Sequence, residues 1–192
     1  MEQKTFIRIP GDRIGVLIGA DGKTRRRIES AFGVKITVES ESGGVTVKVN
    51  EDQPDVSVMF TVKNVVKAIG RGFSPKKAMT LQDEDNDIIV IDLEEFVGTS
   101  KNAQNRVRGR IIGKEGKSRE LLEELTNCLV SVYGGTVAVI GPYEMLQVAK
   151  EAVEMLLNGS YHKTVWNHLY AYRRKMRKEK GELWYEPVRR RT

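Results

Sequence analysis

The sequence predicts an α+β protein built from two tandem copies of one β-α-α-β-β-α unit, each a three-stranded sheet packed on three helices, ending in a basic helical tail. Three observations predict it: a fifteen-residue stretch that recurs 94 positions later, a Gly-x-x-Gly tetrapeptide at the same place in both copies, and the same succession of strand and helix patterns around each. Segment 15–29, GVLIGADGKTRRRIE, aligns with 109–123, GRIIGKEGKSRELLE, with seven identities: Gly15/Gly109, Ile18/Ile112, Gly19/Gly113, Gly22/Gly116, Lys23/Lys117, Arg25/Arg119 and Glu29/Glu123. Two copies at this spacing indicate duplicated domains, since a solenoid takes three or more repeats of shorter period. The expected division is a first domain over 1–72, a linker over 73–86, a second domain over 87–158 and a tail over 159–192.

Each element has a local reason. Residues 5–9 alternate apolar and polar side chains as a strand does, and Pro10-Gly11-Asp12 ends it. A short helical turn leads to Gly19-Ala20-Asp21-Gly22. Helix follows over 23–32 with Gly33 as its stop, then strands over 34–38 and 45–49 joined at Ser42-Gly43-Gly44, then a helix over 56–69. In the second copy the Ile- and Val-rich run 88–93 reads as a largely buried strand. Helices are expected over 101–112, from the second loop to Thr126 and over 143–157, with strands over 129–133 and 136–140 joined by Gly134-Gly135. In the linker, Ser74 can cap and Pro75 can open a short helix, which implies a rigid connection. The tail over 161–180 has helical composition and begins with Tyr161, Trp166, Tyr170 and Tyr172.

Charge narrows the partner. The chain has 32 Lys and Arg against 26 Asp and Glu, net +6, with pI near 9.4, which makes a polyanion a plausible ligand. Residues 159–192 hold ten basic against three acidic side chains, +7, whereas 1–158 carry 22 against 23. The single cysteine, Cys128, excludes an intramolecular disulfide and cysteine-rich zinc sites, reads as a small buried apolar residue, and fits a reducing compartment. No run reaches the roughly 18 apolar residues of a membrane span, and MEQKTFIRIP lacks a signal-peptide core, so the expectation is a cytoplasmic protein with no membrane contact.

The chemistry lies in the repeated loop. Two glycines around two other residues, where one helix ends and the next begins, let backbone N–H groups approach a phosphate because no Cβ intervenes, and the second helix adds its positive dipole end. Lys23, Arg25, Arg26 and Arg27 follow in copy one, and Lys117 and Arg119 in copy two, as supplementary cations. A lone Gly-x-x-Gly in a chain with 18 glycines would be only a turn; two in matched frames carry more.

The loops Ile-Gly-Val-Leu-Ile-Gly-Ala-Asp-Gly-Lys and Arg-Gly-Arg-Ile-Ile-Gly-Lys-Glu-Gly-Lys resemble the KH signature, and the trailing strand-strand-helix matches the type I arrangement. The resemblance covers about 3–158 and implies a loop that clamps about four nucleotides of backbone, with bases over an apolar groove. It places Gly15, Val16 and Leu17 with Ile36 and Val38 along the first groove, and Gly109, Arg110 and Ile111 with Val130 and Val132 along the second. The implied RNA-binding loops are Gly19, Ala20, Asp21, Gly22, Lys23 and Arg26, and Gly113, Lys114, Glu115, Gly116, Lys117 and Arg119, with Arg108 leading into the second. Copy one has Ala20 where a basic residue commonly stands and copy two has Lys114, preceded by Arg106, Arg108 and Arg110, so the second site is expected to be stronger.

RVRGRIIGKEGKSRELLEELT, SVYGGTVAVIG, GFSPKKAM and the basic tail with Trp and Tyr resemble the archaeal two-KH small-subunit ribosome-assembly factors, the partner-of-Nob and KRR-like family. That resemblance implies binding at the 3′ end of small-subunit (pre-)rRNA, and as partners the Nob-type processing endonuclease and the alpha subunit of archaeal initiation factor two. An RNA-decay or exosome KH subunit is the alternative, although it would bring an RNA-binding barrel for which this chain has no room. No nucleophile with a base, metal cluster or phosphate-hydrolysing loop is legible, so no catalytic residue, metal or cofactor is expected. A metal-dependent nuclease would need clustered carboxylates; the dense run, 83–87, sits in the linker and has Ile88 where a calcium loop needs Gly. His162 and His168, six apart, suit neither a metal pair nor a triad. The run 173–178, five Arg or Lys beside aromatics, is read as a contact surface for RNA or a partner.

Overall fold

Strands β1 (Lys4–Arg8), β2 (Val34–Glu39) and β3 (Gly44–Val49) form an antiparallel sheet in the order β1-β3-β2. Its alternating pattern turns Ile7, Val34, Ile36, Val45 and Val47 inward and Lys4, Phe6, Lys35, Thr37 and Thr46 outward. Helices α1 (Gly11–Ile18), α2 (Lys23–Phe32) and α3 (Val56–Gly70) cover the inner face. The computed structural model describes residues 4–39, 41–49 and 56–183; the expected basic end of the tail, 184–192, lies outside them. Helix α1 is a full eight residues where a short turn was expected, because Ile14 and Leu17 give it a buried side. Gly33 ends α2 in the left-handed region at φ 63.

The linker forms α4 (Pro75–Ala78), with the Ser74 hydroxyl accepting from the Lys77 N–H at 3.3 Å, and runs through a 3-10 turn, Met79–Gln82. The second unit repeats the first: β4 (Asn86–Asp92), α5 (Glu94–Val97), α6 (Lys101–Ile112), α7 (Lys117–Thr126), β5 (Leu129–Tyr133), β6 (Thr136–Pro142) and α8 (Tyr143–Leu157), with sheet order β4-β6-β5. The short α5, unanticipated from sequence, starts where Asp92 Oδ1 accepts the Glu94 N–H at 2.9 Å.

The two sheets differ in what covers their outer faces. In β6, Val137 and Val139 face their own helices, while Ala138 and Ile140 join Ile88 in the core of the first unit. Every residue of β6 except Pro142 is therefore buried. The linker is pinned to the β5 edge as well. Ser131 Oγ donates to the Arg71 carbonyl at 2.8 Å, and Gly72 at φ 95 passes so close that a Cβ there would stand 2.7 Å from Ser131 Oγ and from Tyr133 Cβ. The Arg13 guanidinium lies 5.4 Å from the Tyr133 ring centroid and donates to the Ile69 and Phe73 carbonyls at 2.8 and 2.7 Å, capping α3. The Tyr133 hydroxyl donates to Asp12, and this hydrogen bond raises the phenol above its ordinary pKa.

The tail does not stand apart as the sequence reading placed it. Helix α9 (His162–Leu183) packs on the second unit, burying Val165 and Leu169 fully, with Trp166 and Tyr172 against the same core. The signal was an apolar stripe at 165, 169, 172 and 176. Charge counting passed over it. Two outcomes test this packing. Leu169→Ala should cost about 2–5 kcal/mol in chemical denaturation, and deletion from Tyr161 onward should destabilise the second domain rather than leave it intact. Burial pushes the Cys128 thiol up to about 11, so iodoacetamide labelling at pH 8 should follow global unfolding rather than precede it.

Candidate nucleic-acid interface

The two loops are superimposable in their backbone angles. Gly19 and Gly113 both take φ 72, Asp21 and Glu115 take φ 51 and 55, and Gly22 and Gly116 take φ 74 and 80. A Cβ at Gly19 would stand 2.2 Å from Thr24 Oγ1, and one at Gly113 would stand 2.5 Å from Ser118 Cβ, so the first glycine of each pair is required by space as well as by φ. The second has room: its would-be Cβ lies no closer than 3.6 Å to any neighbour in copy one and 3.9 Å in copy two. That open space lies in front of the first turn of α2 or α7, ten-residue helices whose N-termini have no side-chain cap. Their leading N–H groups point at a surface from which a phosphate can accept hydrogen bonds.

The side chains around the loops are not equivalent. Lys23 and Lys114 are exposed, and Lys114 has no hydrogen bond or ion pair among the described residues. Lys117 pairs with Glu115 at 3.2 Å, with both side chains mostly in solvent, an interaction weak enough to yield to phosphate. Arg26 donates to the Asp21 carbonyl at 2.5 Å and braces the first loop from behind. The matching position is Glu120, whose Oε1 lies 3.9 Å from the would-be Cβ of Gly116, so copy two places a carboxylate beside its clamp where copy one places a guanidinium. Arg108 reaches Asn105 Oδ1 at 3.4 Å.

Arg110, expected in the second groove, has another use. Its Nε and Nη2 donate to the Leu156 and Ser160 carbonyls at 3.2 and 2.5 Å, and its own carbonyl lies 2.8 Å from His162 Nε2. It ties the end of α8 to the start of α9, as Arg13 caps α3, because the last helix of each unit ends with unpaired carbonyls beside the first. Gly15 and Gly109 lie at the surface of α1 and α6 and Val16 is half-buried against the first core, whereas Leu17, Ile36, Ile111 and Val130 are buried and form the floor more than the lining of the grooves. Val38 and Val132 are half-buried on the edge strands.

A pair that the sequence reading aligned but did not use closes each groove at its base. Glu29 Oε1 accepts the Ile36 N–H and Glu123 Oε1 accepts the Val130 N–H, both at 2.8 Å. In an antiparallel ladder outward-facing positions recur at every second residue, so the N–H and C=O of Val38 and Val132 also face the open edge of β2 and β5. The site in each unit is thus a phosphate cradle leading to an apolar trough with backbone donors and acceptors along one side. The acidic linker run is tied into its own turns: Asp83 Oδ1 accepts from the Asp85 N–H, and Asp87 Oδ1 from the Ile88 N–H and Asn64. Among the described residues no group of three or more His, Cys, Asp or Glu is placed to hold a metal ion, and no helix is long and apolar enough to cross a membrane.

Comparison with known proteins matches this architecture. A model described as the KH domain matches residues 4–71, and one described as the eukaryotic-type KH domain, type I, matches 87–174. KH domain-containing protein MJ0443 of Methanocaldococcus jannaschii is 44% identical over 179 residues, 93% of this chain and 78% of that protein. The crystal structure of Dim2p from Pyrococcus horikoshii superimposes with a TM-score of 0.83 at 41% identity, covering 88% of this chain and 99% of that one. This chain belongs to the two-KH-domain Dim2p family. A chain of the a/eIF2alpha-aDim2p-rRNA complex from the same organism is 40% identical with a TM-score of 0.86, over 91% of this chain and 96% of that one. A protein of unknown function from Aeropyrum pernix, APE0754, is similar at 37% identity and TM-score 0.91, over 96% of this KH protein and 98% of that chain.

The two glycines of a clamp separate fold from contact. Gly113→Ala should lower stability by about 1–3 kcal/mol, since it adds a clash to a left-handed φ. Gly116→Ala, with free space in front, should lose less stability, and its cost should appear in ligand affinity. Denaturation curves and binding titrations on both variants separate the effects.

Proposed function

We propose that this KH protein is a non-enzymatic RNA-binding factor that holds a single-stranded segment near the 3′ end of small-subunit (pre-)rRNA during ribosome assembly in the cytoplasm. The observation that carries the reading is the paired phosphate cradle, an uncapped helix N-terminus fronted by left-handed glycines, beside a trough whose strand edge offers backbone hydrogen-bonding groups. A trough of this kind takes unstacked bases, which a duplex does not present. The rRNA-containing complex of a 40%-identical relative supports the choice of rRNA, and the a/eIF2alpha named in it supports the alpha subunit of initiation factor two as a partner. The Nob-type endonuclease is proposed as a further partner on the family resemblance. The exposed cations of α9, Arg174, Lys175 and Arg177 among them, extend the basic surface beyond the two loops.

Affinity should be selective for single strands over the matching duplex and should fall as salt rises, because phosphate contacts release counterions. Lys114→Asp replaces an unengaged cation at the second loop with a carboxylate and should weaken binding to a short single strand by at least about tenfold, the equivalent of one charge-assisted contact worth roughly 1.5–3 kcal/mol. Ala20→Asp should cost less. Fluorescence anisotropy on both variants, with circular dichroism to verify folding, reads the order; equal affinity for duplex and single strand would sink the reading itself.

A further inference from the structure

The second groove has a wall that the first lacks. A cleft of about 350 Å³ runs along the free edge of β5, with Arg119 on the α7 side and Gly72 with the linker residues Phe73, Ser74 and Lys77 on the other. The linker is held there by the Ser131–Arg71 hydrogen bond, the Arg13–Phe73 hydrogen bond and the close passage of Gly72. It is therefore a fixed surface of the groove.

Its consequence falls on Arg119. The matched residue in copy one, Arg25, has its Nε 3.9 Å from Glu29, one turn along α2. In copy two the matched acid, Glu123, faces Lys77 of the linker helix instead, its Oε1 lying 3.7 Å from Lys77 Nζ while also accepting the Val130 N–H. Arg119 is left with no ion pair or hydrogen bond among the described residues, and its Nε, like that of Arg25, is buried without a hydrogen-bond partner. Its Nη2 lies 3.9 Å from where a Cβ on Gly116 would stand, so the guanidinium stands near the phosphate cradle and lines the cleft that Val130 and Val132 also line.

We propose that this cleft is a base-selecting subsite in which Arg119, freed by the Lys77–Glu123 pair, reads one nucleobase of the bound strand. The inference rests on the RNA-binding reading above and names what that site selects. A guanidinium presents two parallel N–H donors in a fixed fork, so it selects a base with two adjacent acceptors on one edge. Guanine offers O6 and N7, and cytosine offers N3 and O2. Adenine sets an amino group beside N7 or N1, and uracil sets N3–H between its two oxygens, so each meets the fork with a donor. The subsite takes G or C and discriminates against A and U.

The test uses the full chain and a set of short single-stranded RNAs, each position varied in turn through A, C, G and U, with affinity read by anisotropy. At one position G or C should bind about tenfold more tightly than A or U. Arg119→Lys keeps the charge and removes the fork; it should flatten that position to within about twofold. Lys77→Met releases Glu123 to recapture Arg119 and should also flatten it, and Lys77→Met with Glu123→Gln should restore the preference, since the amide still accepts the Val130 N–H. A wild-type chain that binds single strands with a flat profile, or a preference that survives Arg119→Lys, overturns the subsite and leaves RNA binding standing. Failure of the wild-type chain to bind single strands at all overturns both readings.

Discussion

The structure depends on the central strand of the second sheet having no solvent face. Most sheets in small α+β domains bury one side, and a strand alternates accordingly; β3, with Val45, Val47 and Val49 separated by Thr46 and Lys48, does so. In β6 the intervening residues are Ala138 and Ile140, and a sheet with that composition has to be covered twice. The first domain supplies the cover, with α3 and the Met79–Gln82 turn packed on β4. Burial of Ile88, Ala138 and Ile140 against the first core contributes on the order of a few kcal/mol, which outweighs the cost of ordering a short linker. Everything else in the interface, the Tyr133–Asp12 hydrogen bond included, is aligned by that packing.

The two grooves show how one scaffold yields two sites. Glu29 and Glu123 serve the same end, closing the helix-to-edge-strand gap by accepting an N–H that the sheet leaves unpaired. The cation beside each then differs: Arg25 approaches the second oxygen of Glu29, whereas Lys77 approaches the oxygen of Glu123 that already holds the N–H. Where no linker passes, the neighbouring arginine is drawn in; where the linker passes, a lysine from another element competes and the arginine is released. A pairwise ion contact at a half-exposed site is worth little to stability. It decides orientation here, and orientation matters to a base that must be met by a planar donor pair.

Most of the fold was legible because duplication doubles every signal. The helices over 23–32, 101–112 and 143–157 follow from glycine stops, caps and apolar spacing, and the same order in both copies checks each assignment. Features that arise from tertiary partners were not legible. Arg110 reads as a groove cation in a line of sequence, yet the open carbonyls at the end of α8 lie nearer and take it. The tail reads as charge because lysines and arginines outnumber its apolar residues, although four of the latter share one face and Val165 and Leu169 are fully buried. The role of Lys77 could not be read at all, since it depends on the linker lying against β5.

Charge along the repeat alone ranks the two clamps nearly equal: four cations and two acids over 15–29, four cations and three acids over 109–123. Placement separates them. In copy one Arg26 is spent on the Asp21 carbonyl and Arg25 lies against Glu29, while Lys23 stays exposed and unengaged. In copy two Glu120 stands near the cradle, an unfavourable neighbour for a phosphate, but Lys114 is unengaged and Lys117 is held only by an exposed partner. The second loop thus sets an unengaged lysine between its two glycines, where the first has Ala20, and a phosphate there meets that cation directly. The difference between the sites lies in where the uncommitted charges stand, and the three-dimensional partners of each side chain reveal which those are.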